Sequence, residues 1–308
     1  MTVKKAKEEL HEIFSDREGA VEALKEWVDK QDHLKTFKHF RFLLKFLRGA
    51  KFSQLRAREI LEGYCSNFME YPQWFTNMDP CSKAIDHLLS IGYGFPLPGY
   101  DKMGRKVLFY SISKLRLEDV GEGKLLSVDD MLKYWLMNHE YATMDEKVQV
   151  NGFILFFDYT KVTLKQMSLV GGDKAKTWNK MAQDRLPGRL KGFHLYNSGA
   201  VIEFFFALAK PILKKKYLER FFIHETLESV YGAIDKKYLP SEFLPDDYDG
   251  PTAGTCAELA ENYKKEMQSP KWIKYFQELS NGSIGVDKSK KKDTKDEPVT
   301  MFRKLNVD

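Results

Sequence analysis

Through the first 85 residues, apolar side chains recur at helical spacing. Leu10, Ile13 and Phe14 share one face, as do Val21, Leu24 and Val28. The run F-R-F-L-L-K-F-L-R-G from Phe40 predicts a strongly apolar helix, stopped by Gly49 in a C-terminal cap. Ser53 then caps a helix that carries Ala57, Ile60, Leu61 and Tyr64 at i, i+3, i+4 and i+7. Pro72 and Pro80 break the pattern, and no strand-like run appears. The spacing predicts a helical lobe over residues 1–90.

The pattern changes at Gly92. I-G-Y-G-F-P-L-P-G-Y-D-K-M-G-R reads as loop and turn, dense in Gly and Pro. K-V-L-F-Y-S-I from Lys106 reads as a buried strand, and further strands follow at 152–159, at Leu190 and at Phe221. Helical stretches over 128–147, around 164–185 and from 200 separate them. Strands alternating with helices of crossover length call for a parallel sheet, and near-continuous apolar runs call for cover on both faces. A helix near Ser229 and the loop S-E-F-L-P-D-D-Y-D-G-P complete a unit over 91–255. A helical segment around Trp272 and Phe276 fills 256–280. The Lys-rich stretch 281–308 is low in apolar content and is expected to be disordered. The fold class is therefore α/β: a helical lobe, then a mixed, mainly parallel sheet flanked by helices.

One helix does not fit a surface role. Asn197, Ser198 and Gly199 supply turn and N-cap chemistry, and from 200 to 209 every position except Glu203 is apolar. A surface helix shows one apolar stripe, whereas this one is apolar all round, yet it is far short of the about 20 residues a bilayer span needs. Pro211 disturbs it, and Lys214, Lys215, Lys216 and Arg220 follow at once. Two readings are open: a core helix, or a gate with one face on an apolar cavity and the other on a membrane beside anionic headgroups.

Composition narrows the function classes. A net charge of +5 is too mild to argue for nucleic acid. Cys65, Cys81 and Cys256 are odd in number and widely spaced, which fits a reducing compartment and neither a disulfide framework nor a zinc site. The N-terminus has no apolar stretch of signal-peptide type, so the expectation is a cytoplasmic protein. Enzyme constellations are missing as well. There is no phosphate-binding G-x-x-x-x-G-K-[ST], no G-x-G-x-x-G after a strand, no G-x-S-x-G elbow and no H-x-x-x-H pair. Asp158 ends a strand where α/β enzymes often carry an acid, but it has no base, nucleophile or metal ligand near it in sequence. His139 and His194 are the visible titratable candidates for a lipid-acting enzyme, the rival reading. The pattern points to a non-enzymatic binder without cofactor or metal.

Several motifs in register carry a resemblance. F-L-L-K-F-L-R-G-A-K-F at 42–52, D-K-M-G-R-K-V from Asp101, N-G-F-I-L-F-F-D-Y from Asn151, the 189–225 stretch and L-P-S-E-F-L-P-D-D-Y-D-G from Leu239 resemble the CRAL-TRIO (Sec14-like) lipid-transfer proteins. Within that family the chain is most similar to the animal retinaldehyde- and α-tocopherol-binding branch, over residues 21 to 278. The resemblance implies a bowl holding one hydrophobic ligand under a mobile gate helix. It places the cavity wall at Trp135, His139, Phe153, Phe157, Val162, Trp178, Met181, Ala182, Leu186, Leu190 and Phe193, with Val201, Phe205 and Leu208 facing it from the gate. Alternation independently puts Phe153, Leu155 and Phe157 on one sheet face. Tocopherol-binding members have small hydroxyl residues where this chain has Trp135 and His139, which reshapes the cavity. The resemblance also implies phosphoinositide recognition by Arg189, Lys191, Lys216 and Arg220, with a further basic position of the family falling on Ala50. The implied function is a monomeric carrier of one tocopherol-, retinoid- or isoprenoid-like lipid, associating transiently with phosphoinositide-containing membranes. The alternative is a phospholipid or phosphoinositide presenter.

Overall fold

The computed structural model describes residues 2–199 and 213–291. The helix expected from residue 200, with Val201, Phe205 and Leu208, lies outside the described residues.

The N-terminal lobe is built from α1 (Thr2–Leu10), α2 (Arg17–Asp29), α3 (Phe40–Gly49), α4 (Gln54–Glu70), α5 (Pro72–Phe75) and α6 (Lys83–Ser90). In α3 every residue from Phe42 to Arg48 is buried, so its two cations must be neutralised internally. Lys45 Nζ donates to Glu140 Oε2 at 2.9 Å, and Arg48 grips Glu12 through Nε and Nη2, both at 2.9 Å. Around Lys45, the rings of Phe42, Phe46, Tyr64, Phe68 and Phe75 form a continuous edge-to-face cluster. Ser53 caps α4 as the sequence implies, accepting from the Arg56 amide at 3.3 Å. Gly49 acts differently from the expectation. It is the last helical residue, and the left-handed turn is made by Lys51 (φ 52) and Phe52 (φ 59). The absence of a side chain at 49 serves a close approach instead, since a Cβ there would sit 3.2 Å from the Gly188 nitrogen.

The lobe leads into a five-stranded sheet of order β2-β3-β4-β5-β6: β2 (Gly94–Tyr100), β3 (Lys106–Ser111), β4 (Phe153–Asp158), β5 (Leu190–Tyr196) and β6 (Phe221–His224). The three pairings from β3 to β6 are parallel, as the alternation of elements requires. The stretch expected to be loop is the edge strand β2, antiparallel to β3. Pro96 and Pro98 hide it from a sequence reading, and they are tolerated there because an edge strand leaves donors unused. Helices α7 (Val128–Thr143), α8 (Glu146–Asn151), α9 (Leu164–Gly171) and α10 (Asp173–Arg185) connect the strands. The helical stretches expected over 128–147 and 164–185 are thus each a pair. Gly152 joins α8 to β4 at φ 85, and a Cβ there would collide with the Arg189 carbonyl at 2.3 Å.

The tail departs from the expectation of disorder over residues 281–291. Ile284 and Val286 are buried, and β7 (Gly285–Val286) pairs antiparallel with β1 (Leu34–Lys35) in the lobe. The Asp287 amide donates to the His33 carbonyl at 2.8 Å. An apolar triplet is too short to read as a strand by itself, and its partner, Leu34–Lys35, lies near the other end of the chain.

Candidate functional site

The sheet presents one face to a cavity of about 300 Å³. From β3 and the turn after it, Leu108, Tyr110 and Ile112 point inward at two-residue spacing; from β4, Phe153, Leu155 and Phe157 do the same. On β5 the register slips between Phe153 and Ile154, whose partners are Leu190 and Gly192. Lys191 is the extra residue of this bulge, and the slip lets both Leu190 and Phe193 face the cavity despite their three-residue spacing. Phe193 stacks on Phe221 of β6 with ring centroids 4.4 Å apart.

Helices supply the opposite wall. On α7, Trp135 and His139 stand one turn apart. The Trp135 ring lies edge-on to Phe157 and Tyr110, and the His139 ring edge-on to Phe153 at 5.8 Å. Trp178 and Ala182 of α10 and Leu186 beyond it complete the predicted wall. Two predicted residues stand elsewhere. Met181 is buried towards the lobe, where its sulfur accepts from Asn67 Nδ2 at 3.3 Å, and Val162 is packed in the core without lining the cavity.

Leu108, Tyr110 and Ile112 join the wall in addition to the predicted residues, and their alternation in K-V-L-F-Y-S-I is visible in the sequence. Gly49, Arg56 and Ile60 join it as well, brought to the cavity by the lobe and without a local sequence signal for that place. Most of the wall is apolar and aromatic. Among its polar groups, Trp135 Nε1 and His139 Nδ1 are buried without a hydrogen-bond partner, and His139 Nδ1 lies 3.9 Å from Glu140 Oε1. Arg56, Lys176, Asp184 and Lys216 form a charged rim.

His194, the other titratable candidate, is separated from His139 by the sheet itself. It sits on the far face, where its Nδ1 meets His224 Nε2 at 2.9 Å and His224 Nδ1 meets Ser229 Oγ at 2.9 Å. Ser229 donates its hydroxyl to the Thr226 carbonyl and so accepts from His224; His224 Nε2 then accepts from His194. Both imidazoles are neutral in this chain. Burial, then His224 and Arg105, hold the pKa of His194 down at about 3. Asp158 is structural, since its carboxylate accepts from the Thr160 amide at 2.9 Å and faces Ser111.

The four basic positions fall into two pairs. Arg220 and Lys216 flank the Tyr217 ring, at 5.5 and 4.8 Å from its centroid. Arg189 and Lys191 converge on Glu9 of α1, with Arg189 Nη2 at 2.6 Å and Lys191 Nζ at 3.2 Å from the same carboxylate oxygen. Burial, then the adjacent Arg189, lowers the Lys191 pKa, with Arg220 adding to the effect and Glu9 opposing it. Among the described residues no cluster could hold a metal ion, and no helix is long and apolar enough to cross a membrane.

Comparison with known proteins agrees with this geometry. The CRAL/TRIO domain model matches residues 92–248, and a Pinta-like UBA domain model matches 13–85. The mouse "Alpha-tocopherol transfer protein-like" is 32% identical over 273 residues, covering 87% of this chain and 77% of the relative. Mouse "Clavesin-2" is 30% identical over 208 residues, 66% of this chain and 60% of that one. The crystal structure of Sfh5 superposes with a TM-score of 0.54 at 14% identity, covering 86% of this chain and 96% of Sfh5, and so shares the fold. By its sheet, its cavity and the span of these matches, the chain belongs to the CRAL-TRIO family.

Proposed function

We propose that the protein carries one small hydrophobic lipid in this cavity and transfers it at phosphoinositide-containing membranes. The observation that carries the reading is the wall itself: rows of Leu and aromatic side chains from β3, β4 and β5 enclose a space of about 300 Å³. Burying roughly 400 Å² of ligand apolar surface at about 25 cal/mol/Å² contributes on the order of 10 kcal/mol before entropy costs, enough to hold a lipid in water. The relatives named as transfer proteins support a carrier over an enzyme. So does the separation of His139 from His194 by the sheet, which keeps the two candidate histidines from acting on one ligand. Release is assigned to the cationic rim, where each Lys or Arg near an anionic surface contributes about 1 kcal/mol.

The test is native mass spectrometry of the purified protein, followed by transfer of the identified lipid between vesicles. Phe157→Asp places a carboxylate where Phe157 is 8% exposed and stacked on Tyr110, and it should abolish cargo binding in a folded variant. Cargo retained by that variant, or recovered chemically altered after long incubation with the wild type, would overturn the reading.

A second reading rests on Lys216. This cation lines the cavity and has no carboxylate within 4 Å among the described residues. A cargo with an anionic head, as in a phospholipid presenter, would place that head there.

A further inference from the structure

The basic residues assigned to the membrane are not equally available. Among the described residues Lys216 and Arg220 make no ion pair within 4 Å, while Arg189 and Lys191 share the carboxylate of Glu9. The Arg189 side chain is only 9% exposed, and its Nη1 donates to the Val150 carbonyl. Glu9 thus stands where a phosphate oxygen would: between a guanidinium and an ammonium, bonded to both. Burial acts to raise its pKa, but the hydrogen bonds from Arg189 and Lys191 outweigh burial and lower it, as for a carboxylate serving as counter-ion.

The element that delivers Glu9 is tied to the body chiefly at its C-terminal end. Helix α1 is anchored by Ala6 and Leu10 in a small satellite core with Val150. Beyond Glu9, Lys5 Nζ donates to the Met103 carbonyl at 3.0 Å, and the turn after the helix is held by Glu12, whose buried carboxylate accepts from Arg48 Nε and Nη2. Glu8, next to Glu9, faces solvent, and among the described residues its ion-pair partner is Lys4, at 3.9 Å. One carboxylate of the helix is therefore spent on the cationic site and its neighbour is not.

We propose that α1 is an autoinhibitory strap: Glu9 occupies the Arg189–Lys191 anion site and is displaced by the phosphate of a membrane phosphoinositide. This rests on the phosphoinositide reading of those positions. A phosphomonoester brings nearly two charges and three acceptor oxygens against the single charge of Glu9, so it can win the exchange. Displacement frees α1 from this edge of the domain and adds two cations to Lys216 and Arg220.

The experiment measures binding of the full chain to phosphatidylcholine vesicles with and without phosphatidylinositol bisphosphate, and to soluble inositol trisphosphate. The proteins are wild type, Glu9→Gln, Glu8→Gln, Glu9→Gln/Arg189→Ala and Arg189→Ala. Glu9→Gln should bind phosphoinositide vesicles about fivefold to tenfold tighter, as expected for freeing one or two cations. Its salt dependence should steepen. Glu8→Gln should change affinity less than about twofold, because exposed surface charge is screened. Adding Arg189→Ala should cancel the gain, and wild-type α1 amides should lose hydrogen-exchange protection on vesicle binding. Inositol trisphosphate that binds as the vesicles do would place recognition in the headgroup; vesicle-only binding would require the membrane surface, and both outcomes retain the strap. Equal affinities for Glu9→Gln and Glu8→Gln, with Arg189→Ala still weakening binding, would overturn the strap and leave the phosphoinositide reading standing. Indifference to Arg189→Ala in both backgrounds would overturn both.

Discussion

Acidification from pH 7 to 5 should weaken this fold through the His194–His224 pair. His194 is 3% exposed, its Nε2 is buried without a partner, and His224 and Arg105 oppose a positive charge on it. Its pKa is about 3 in the folded protein against 6.5 for the free side chain. A lowered folded-state pKa means that the unfolded chain takes up the proton first. The stabilisation is complete above pH 6.5 and is lost as pH falls towards 3. At pH 5 the unfolded histidine is about 1.5 pH units below its pKa while the folded one is still neutral, which costs about 2 kcal/mol at 1.36 kcal/mol per unit. His224 is also lowered, chiefly by burial, and acts in the same direction. The window from pH 7 to 5 lies above the ordinary glutamate value of 4.5, so the lowered carboxyls of Glu9 and Glu140 contribute little to the change. Urea unfolding at pH 7 and pH 5 gives the measurement, on wild type and on His194→Asn. The wild type should lose about 2 kcal/mol more than the variant over that interval. Equal losses would refute the reasoning. Because the Phe193 amide pairs with the Arg220 carbonyl at the start of β6, any loosening would be felt beside the cationic rim.

Lys45→Met should destabilise the protein by about 3–5 kcal/mol, because it leaves Glu140 buried without its cation. Tyr64 and Tyr275 still donate to Glu140, and Lys45→Met/Glu140→Gln should recover part of the loss in urea unfolding; a single-variant cost below about 1 kcal/mol would contradict the account. Lys216→Ala should slow transfer to phosphoinositide vesicles about fivefold, and it separates the two cargo readings: retention unchanged indicates a neutral cargo, retention weakened an anionic head. Ile284→Asp should cost about 2 kcal/mol or more in unfolding free energy, since Ile284 is 2% exposed; a neutral effect would return 281–291 to the disordered tail first expected.

Periodicity alone determined much of this protein. The spacing in α4, the strand at β4 with Phe153, Leu155 and Phe157 on one face, and the alternation that demands parallel pairing are all local patterns with a physical cause. What the tertiary structure decided is whatever depends on residues distant in sequence. The edge strand β2 looks like a turn until β3 pairs with it, because Pro96 and Pro98 suppress its strand signal. The β7 triplet is a strand only because Leu34 and Lys35 wait for it. Arg56, Ile60 and Gly49 become cavity residues only when the lobe docks. Met181 leaves the wall because a helix turns its faces by rotation that its own sequence does not set. The basic cluster shows the same limit most plainly: Arg189, Lys191, Lys216 and Arg220 are equivalent as letters. Glu9, about 180 residues upstream, divides them, since a carboxylate neutralises what it touches and side-chain contact is fixed by packing, not by order along the chain.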